Sequence, residues 1–267
     1  MIGLFRARLP IDDDEFDWML ACFRWFELEF AGSRRLRPEA LTLPDAEAFP
    51  PSRKRGHARA IELFDAVRQR AGMADWECDL VPGEAERKSR VTTGLGLKHI
   101  GKSAPLGTFA FVEGRYRITY NPSELERPQS LIATFAHELA HFLLHTARTP
   151  SPGGRDLHEH ATDLAAVYLG FGIFMANSAK NFSQFQDFGE QGWEMRPQGY
   201  LSELALTTGL ALFVRLAGAD AKVAERELKD YLRAPFRKAA KVIDRRHPDL
   251  PAAVDAIDLS EWGAVEA

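Results

Sequence analysis

Residues 136–145 read AHELAHFLLH, with His137 and His141 four apart and Glu138 directly after the first. On an α-helix that spacing is about one turn, so both imidazoles can point at one metal ion at ~2.0–2.1 Å, the zinc–nitrogen distance. Glu138 is rotated to the edge of such a site, which frees it to act on a water instead of ligating. Zinc lowers the pKa of a water toward ~7 and polarises a carbonyl. A carboxylate beside that water can accept its proton and pass it to a leaving amine. The plainer reading is a helix whose wet face happens to carry polar residues.

At about 100° per residue, Ser130, Thr134, His137, Glu138, His141 and His145 fall in one arc. Leu131, Ile132, Phe135, Ala136, Leu139, Phe142 and Leu143 fill the opposite side. The helix thus has one apolar face for a core and one polar face with two histidines a turn apart.

A catalytic zinc site takes a third protein ligand. His145 lies two turns from His137, about 12 Å along a straight helix, and does not converge. The longer pattern HExxHxxGxxH is absent, because Leu144 and Ala147 stand at its glycine and third-histidine positions. This argues against the metzincin class. Downstream, DLHEHATDLAAVYLG (156–170) puts Glu159 and Asp163 four apart on one helical face. A competing account of Glu159 is a capping box with Asp156 as N-cap. In that case Asp163, His158 or His160 takes the third position, with Glu203 as an outside candidate.

HExxH followed by a helix bearing ExxxD resembles the gluzincins, the thermolysin-like zincin metallopeptidases, with some similarity to ImmA/IrrE-type domains. A longer string, TDLAAVYLGFGIFMANSA followed by QGW and GYLSE, resembles an uncharacterised bacterial family. The mechanistic resemblance covers about residues 108–176. It implies His137, His141 and Glu159 as zinc ligands, Glu138 as the catalytic base, and Asp163 behind a ligating histidine, fixing its tautomer. It also implies an oxyanion donor, for which Tyr200, His160 and Tyr168 are candidates. In such enzymes substrate often adds to an edge strand before the active-site helix, and RYRITY (115–120) is in that place.

The elements that must position these residues follow from pattern. An aromatic-rich helix is expected over 12–31 and an irregular connection with four prolines over 38–55. A helix over 56–72 has Gly72 as C-cap, and a short strand falls in WECDLVP (76–82). TFAFVEGRYRITY (108–120) reads as a hairpin turning at Glu113-Gly114. Helices follow from Pro128 to about Thr146, from about Asp156 to Ala176, and over 199–217 and 221–244. GLGLKHIGKSAPLG (94–107) does not place its GK as a phosphate loop requires. The expected fold class is α+β and zincin-like, with a small, mainly antiparallel sheet beside the active-site helix and a helical C-terminal half. Three parts are expected: residues 1–55, a zincin-like core over 56–176, and helices over 177–267 packed on it.

With 267 residues, 45% hydrophobic content and a net charge of −4, the chain suits a globular protein, with no reason to expect nucleic acid as a partner. The longest apolar runs, 164–176 and 204–214, fall short of the ~20 residues that span a bilayer. The N-terminus turns acidic before any signal-like run, and Cys22 and Cys78 form no CxxC. A cytoplasmic protein with no membrane partner is expected. The leading functional expectation is a zinc metallopeptidase acting on a peptide or protein. The runner-up is a metal-binding regulatory or interaction module with little turnover. Peptide deformylases share HExxH, but the cysteine ligand they need is not evident here.

Overall fold

The computed structural model describes residues 8–30, 36–83, 107–112, 115–184 and 200–263. Nine helices stand among the described residues: α1 (Asp13–Phe30), α2 (Gly56–Ala71), α3 (Pro128–His145), α4 (His158–Ala166), α5 (Gly172–Gln184), α6 (Glu203–Ala217), α7 (Ala221–Glu227), α8 (Asp230–Arg246) and α9 (Leu250–Asp255). Three strands join them: β1 (Cys78–Pro82), β2 (Gly107–Val112) and β3 (Arg115–Tyr120). The class is mixed helix and sheet, and every regular element described after Pro128 is helical. None of the described helices is long and apolar enough to cross a membrane.

The sheet differs from expectation. β2 pairs antiparallel with β3, but β1 pairs parallel with the other side of β3, giving the order β1-β3-β2. The sheet is therefore mixed, not mainly antiparallel. β3, expected at an edge, is the central strand with both sides paired, so the edges belong to β1 and β2. The turn at Glu113-Gly114 and the glycine-rich stretch 94–106 lie outside the described residues.

Helix α3 runs through the core. Its seven apolar-face residues, Leu131 to Leu143, are all buried. Phe135 meets Phe64 of α2 and Tyr120 of β3 edge to face, while Phe142 sits between Trp76 and Tyr116. Pro128 opens the helix, where its missing N–H costs no hydrogen bond. Helix α1 packs against α4 and α9, with Phe16, Trp18, Phe23, Trp25 and Phe26 fully or almost fully buried.

The expected continuous helix over 156–176 is broken. A one-turn 3-10 segment, Gly154–Leu157, precedes α4, and the wide turn Val167–Phe171 separates α4 from α5. The break sits at Gly170, with φ 94° and ψ 5°, whose carbonyl accepts the Thr42 N–H at 3.0 Å. That φ suits glycine, and a side chain there costs about 1–2 kcal/mol. Gly170→Ala is expected to lower Tm by roughly 2–8 °C in thermal unfolding, without change in metal content. Helix α4 also needs the close approach of α6, because a Cβ on Gly209 would lie 2.8 Å from Leu164 Cδ1.

Candidate metal centre

Most of the polar face of α3 is not wet. Ser130, Thr134, His137 and Glu138 are each 4% exposed or less, His141 is half-buried and only His145, in the last turn, is exposed; α4 and α5 pack on this helix. The pairing brings Glu159, in the first turn of α4, over the two histidines. Nε2 of His137 and Nε2 of His141 lie 3.1 Å apart, and Glu159 Oε2 lies 3.5 Å from the first and 3.4 Å from the second. A tetrahedron with ~2.0–2.1 Å bonds has edges of about 3.3–3.4 Å. Three donor atoms therefore already stand at the spacing of three corners of a zinc tetrahedron. Two imidazoles and a carboxylate are also a donor set that suits zinc.

Each imidazole has its other nitrogen committed, which aims Nε2 at the cluster. His137 Nδ1 donates to Asp163 Oδ1 at 2.9 Å, and Asp163 Oδ2 accepts the Leu201 N–H at 2.8 Å. On His141, Nδ1 faces Thr162 Oγ1 at 3.4 Å. The Thr162 hydroxyl donates to the His158 carbonyl at 2.9 Å, so its lone pairs are turned to the His141 N–H. Such partners fix tautomer and ring orientation around a metal.

The electrostatics point the same way. Burial disfavours a charged His137, yet the Asp163 and Glu159 carboxylates outweigh it and raise its pKa to about 10. Burial also opposes ionisation of Glu159, but hydrogen bonds to His137 and His141 hold it well below the usual carboxylate range. The cluster thus has a strong excess affinity for a positive charge, whether a proton or a metal ion. Burial and the Glu159 charge push Glu138 up to about 7, against the opposing pull of His137. Its Oε2 is buried with no hydrogen-bond partner among the described residues. A buried, unpaired carboxylate oxygen beside a cation-seeking cluster is costly unless it has work to do there.

The other sequence candidates fall elsewhere. Both oxygens of Asp163 are spent on His137 and Leu201, so it stands behind a histidine and outside the cluster. The capping box does not form, since α4 has Leu157 at its N-cap and no side-chain cap bond. His158 is exposed, with its ring 5.5 Å from that of His141. His160 turns the other way, edge to face with Trp18. Glu203 accepts a hydrogen bond from Tyr231 on α8. Tyr168 is fully buried against Phe23 and Phe26. Tyr200 alone of the oxyanion candidates meets the cluster, its ring 5.2 Å from His137. Burial and the Asp163, Glu138 and Glu159 charges raise its pKa, keeping the phenol protonated as a donor.

Sequence reasoning missed Thr162 and the Leu201 N–H. Thr162 had a signal, because it follows Glu159 by three on the same helical face as Asp163. Leu201 had none, being 38 residues from its partner. Among the described residues, His137, His141 and Glu159 form the one group of such side chains spaced to hold a metal ion. The chain matches no family model, no curated protein and no solved structure.

Proposed function

We propose that this chain is a zinc-dependent metallopeptidase of gluzincin type, hydrolysing a peptide bond in the cytoplasm. The observation that carries the reading is the 3.1–3.5 Å triangle of His137 Nε2, His141 Nε2 and Glu159 Oε2 next to the unpaired Glu138 carboxylate. These three atoms would hold the ion. Bound zinc would supply Lewis-acid polarisation of the substrate carbonyl and a more acidic water. Glu138, whose Oε2 is buried and unpaired among the described residues, would take a proton from the attacking water and return it to the departing amine. The Tyr200 phenol donates a hydrogen bond to the oxygen on which negative charge develops. His141 is 17% and Glu159 36% exposed at the side chain, so the cluster is reachable from solvent. Cys22 and Cys78 both stand as thiols, which suits a reducing compartment.

Elemental analysis of protein purified without chelators is expected to give about one zinc per chain, lost in His137→Ala and in Glu159→Ala while circular dichroism stays helical. A well-folded wild type with no metal defeats the proposal. Zinc at full occupancy with no cleavage across a broad peptide pool would assign the chain to the non-hydrolytic, metal-binding alternative.

A further inference from the structure

Near the His137–His141–Glu159 cluster lies a pocket of about 340 Å³ whose lining includes His145, Arg148, Arg155, His158, Thr149 and Trp25. Four of its lining residues are basic types and none is Asp or Glu. It approaches the cluster through His158 and His145. His158 precedes Glu159, its ring stands 5.5 Å from His141, and His145 follows His141 by one turn of α3.

The wall is built, not draped. The linker between α3 and α4 is tied to α1 by Trp18 Nε1–H donating to the Pro152 carbonyl at 3.0 Å and Trp25 Nε1–H donating to Thr149 Oγ1 at 2.8 Å. Glu29, almost wholly covered, accepts from the Arg148 N–H and the Thr149 hydroxyl, and pairs with the Arg148 guanidinium at 3.4 Å. Gly153 N–H bonds to the Trp262 carbonyl, fixing the turn that presents Arg155. Arg148 is thereby partly neutralised from behind. Arg155, exposed and on the pocket wall, has no carboxylate partner among the described residues. A guanidinium fork is the group best shaped to read a carboxylate through two parallel hydrogen bonds. An extended peptide advances ~3.3 Å per residue, so the pocket wall at His145, one helical turn from His141, is within about two residues of the reacting bond.

We propose that this pocket takes a carboxylate of the peptide substrate, from an acidic side chain beside the scissile bond or from the chain's own C-terminus. The inference rests on the metallopeptidase reading for its choice of ligand. The test uses full-length Glu138→Gln protein loaded with zinc, which binds without turnover. Its probes are fluorescein-labelled octapeptides of Ala, Leu and Gly in three versions: one Glu with an amidated C-terminus, one Gln with an amidated C-terminus, and one Gln with a free C-terminus. In fluorescence polarisation, one or both carboxylate-bearing peptides should bind at least tenfold tighter than the amidated Gln peptide. Which of them does so identifies the source of the carboxylate. Adding Arg155→Glu should abolish the preference at unchanged zinc content, and Arg155→Lys should keep part of it. Equal binding of all three, no binding at millimolar peptide, or a preference indifferent to Arg155→Glu overturns the carboxylate pocket. Turnover of the same peptides by the wild type judges the peptidase reading separately. Cleavage without carboxylate preference removes only the pocket, and carboxylate-selective binding without cleavage removes only the hydrolysis.

Discussion

Glu138→Gln is expected to keep its zinc and to hydrolyse peptide about 10²–10⁴-fold more slowly than the wild type. The substitution preserves volume and leaves His137, His141 and Glu159 in place. What it removes is the one carboxylate near the cluster that makes no bond of its own among the described residues at Oε2. The loss should fall on kcat, since the proton transfer belongs to the transition state and not to binding. Side-by-side turnover and zinc measurements check it. A variant retaining a tenth or more of wild-type kcat at full zinc would remove Glu138 from the chemistry.

The same variant is expected to be the more stable protein at alkaline pH once zinc is chelated. Burial raises Glu138 from an ordinary 4.5 to about 7, so the folded chain binds this proton more tightly than the unfolded chain does. The stabilisation from that proton is complete below about pH 4.5 and is lost as pH rises through about 7. At pH 8 the folded wild type carries a buried carboxylate that its unfolded chain would hydrate. Glutamine carries none. In chelator at pH 8 the variant should melt higher by roughly 2–8 °C, with the gap closing toward pH 5. A lower Tm for the variant at pH 8 would mean that the carboxylate is held for structure. A stabilising loss of function is the signature of a residue kept for its chemistry.

What could be read in the sequence divides by distance along the chain. The apolar and polar faces of α3, and the Glu159–Asp163 pair on α4, are set by helical spacing alone. Their meeting was compatible with the short linker between the two helices, which allows them to pack. The parallel pairing of β1 with β3 left no such trace, because it needs no tight turn and Cys78 is 38 positions from its partner Tyr116. The break between α4 and α5 had a signal in Gly170 and Gly172, but the unbroken apolarity of the run hid it. A buried helix reads as apolar all round, so periodicity cannot mark where it ends. Thr162 was legible as an i+3 neighbour of Glu159. Tyr200 and Leu201 were legible only as residue types, since their approach to His137 and Asp163 is tertiary. The basic pocket lay furthest from view. Arg148 and Arg155 sit in a linker whose course is set by Trp18 and Trp25, more than 100 residues earlier.

Asp163→Asn is expected to weaken zinc binding about 10–100-fold in a protein that still folds. Asp163 is 1% exposed, and each of its oxygens accepts one hydrogen bond, from His137 Nδ1–H and from the Leu201 N–H. Asparagine has one oxygen for two donors. If that oxygen stays with Leu201, the amide NH₂ faces His137 Nδ1, and the imidazole must move its proton to Nε2, the atom aimed at the metal. If it turns to His137 instead, the NH₂ faces the Leu201 N–H and a buried donor is left unsatisfied, at about 1–3 kcal/mol. The first branch costs metal affinity and the second costs stability. Competition with a chromogenic chelator measures the former, and denaturant unfolding the latter. A third readout isolates the electrostatic role. In metal-free protein the Asp163 carboxylate is a main cause of the raised pKa of His137, so in the variant His137 should titrate at a distinctly lower pH by NMR. Asp163→Ala removes both acceptors and should lose more of both zinc and stability. Zinc affinity within threefold of wild type, with His137 titrating as before, would reduce Asp163 to a packing residue and leave the orientation of His137 to the helix alone.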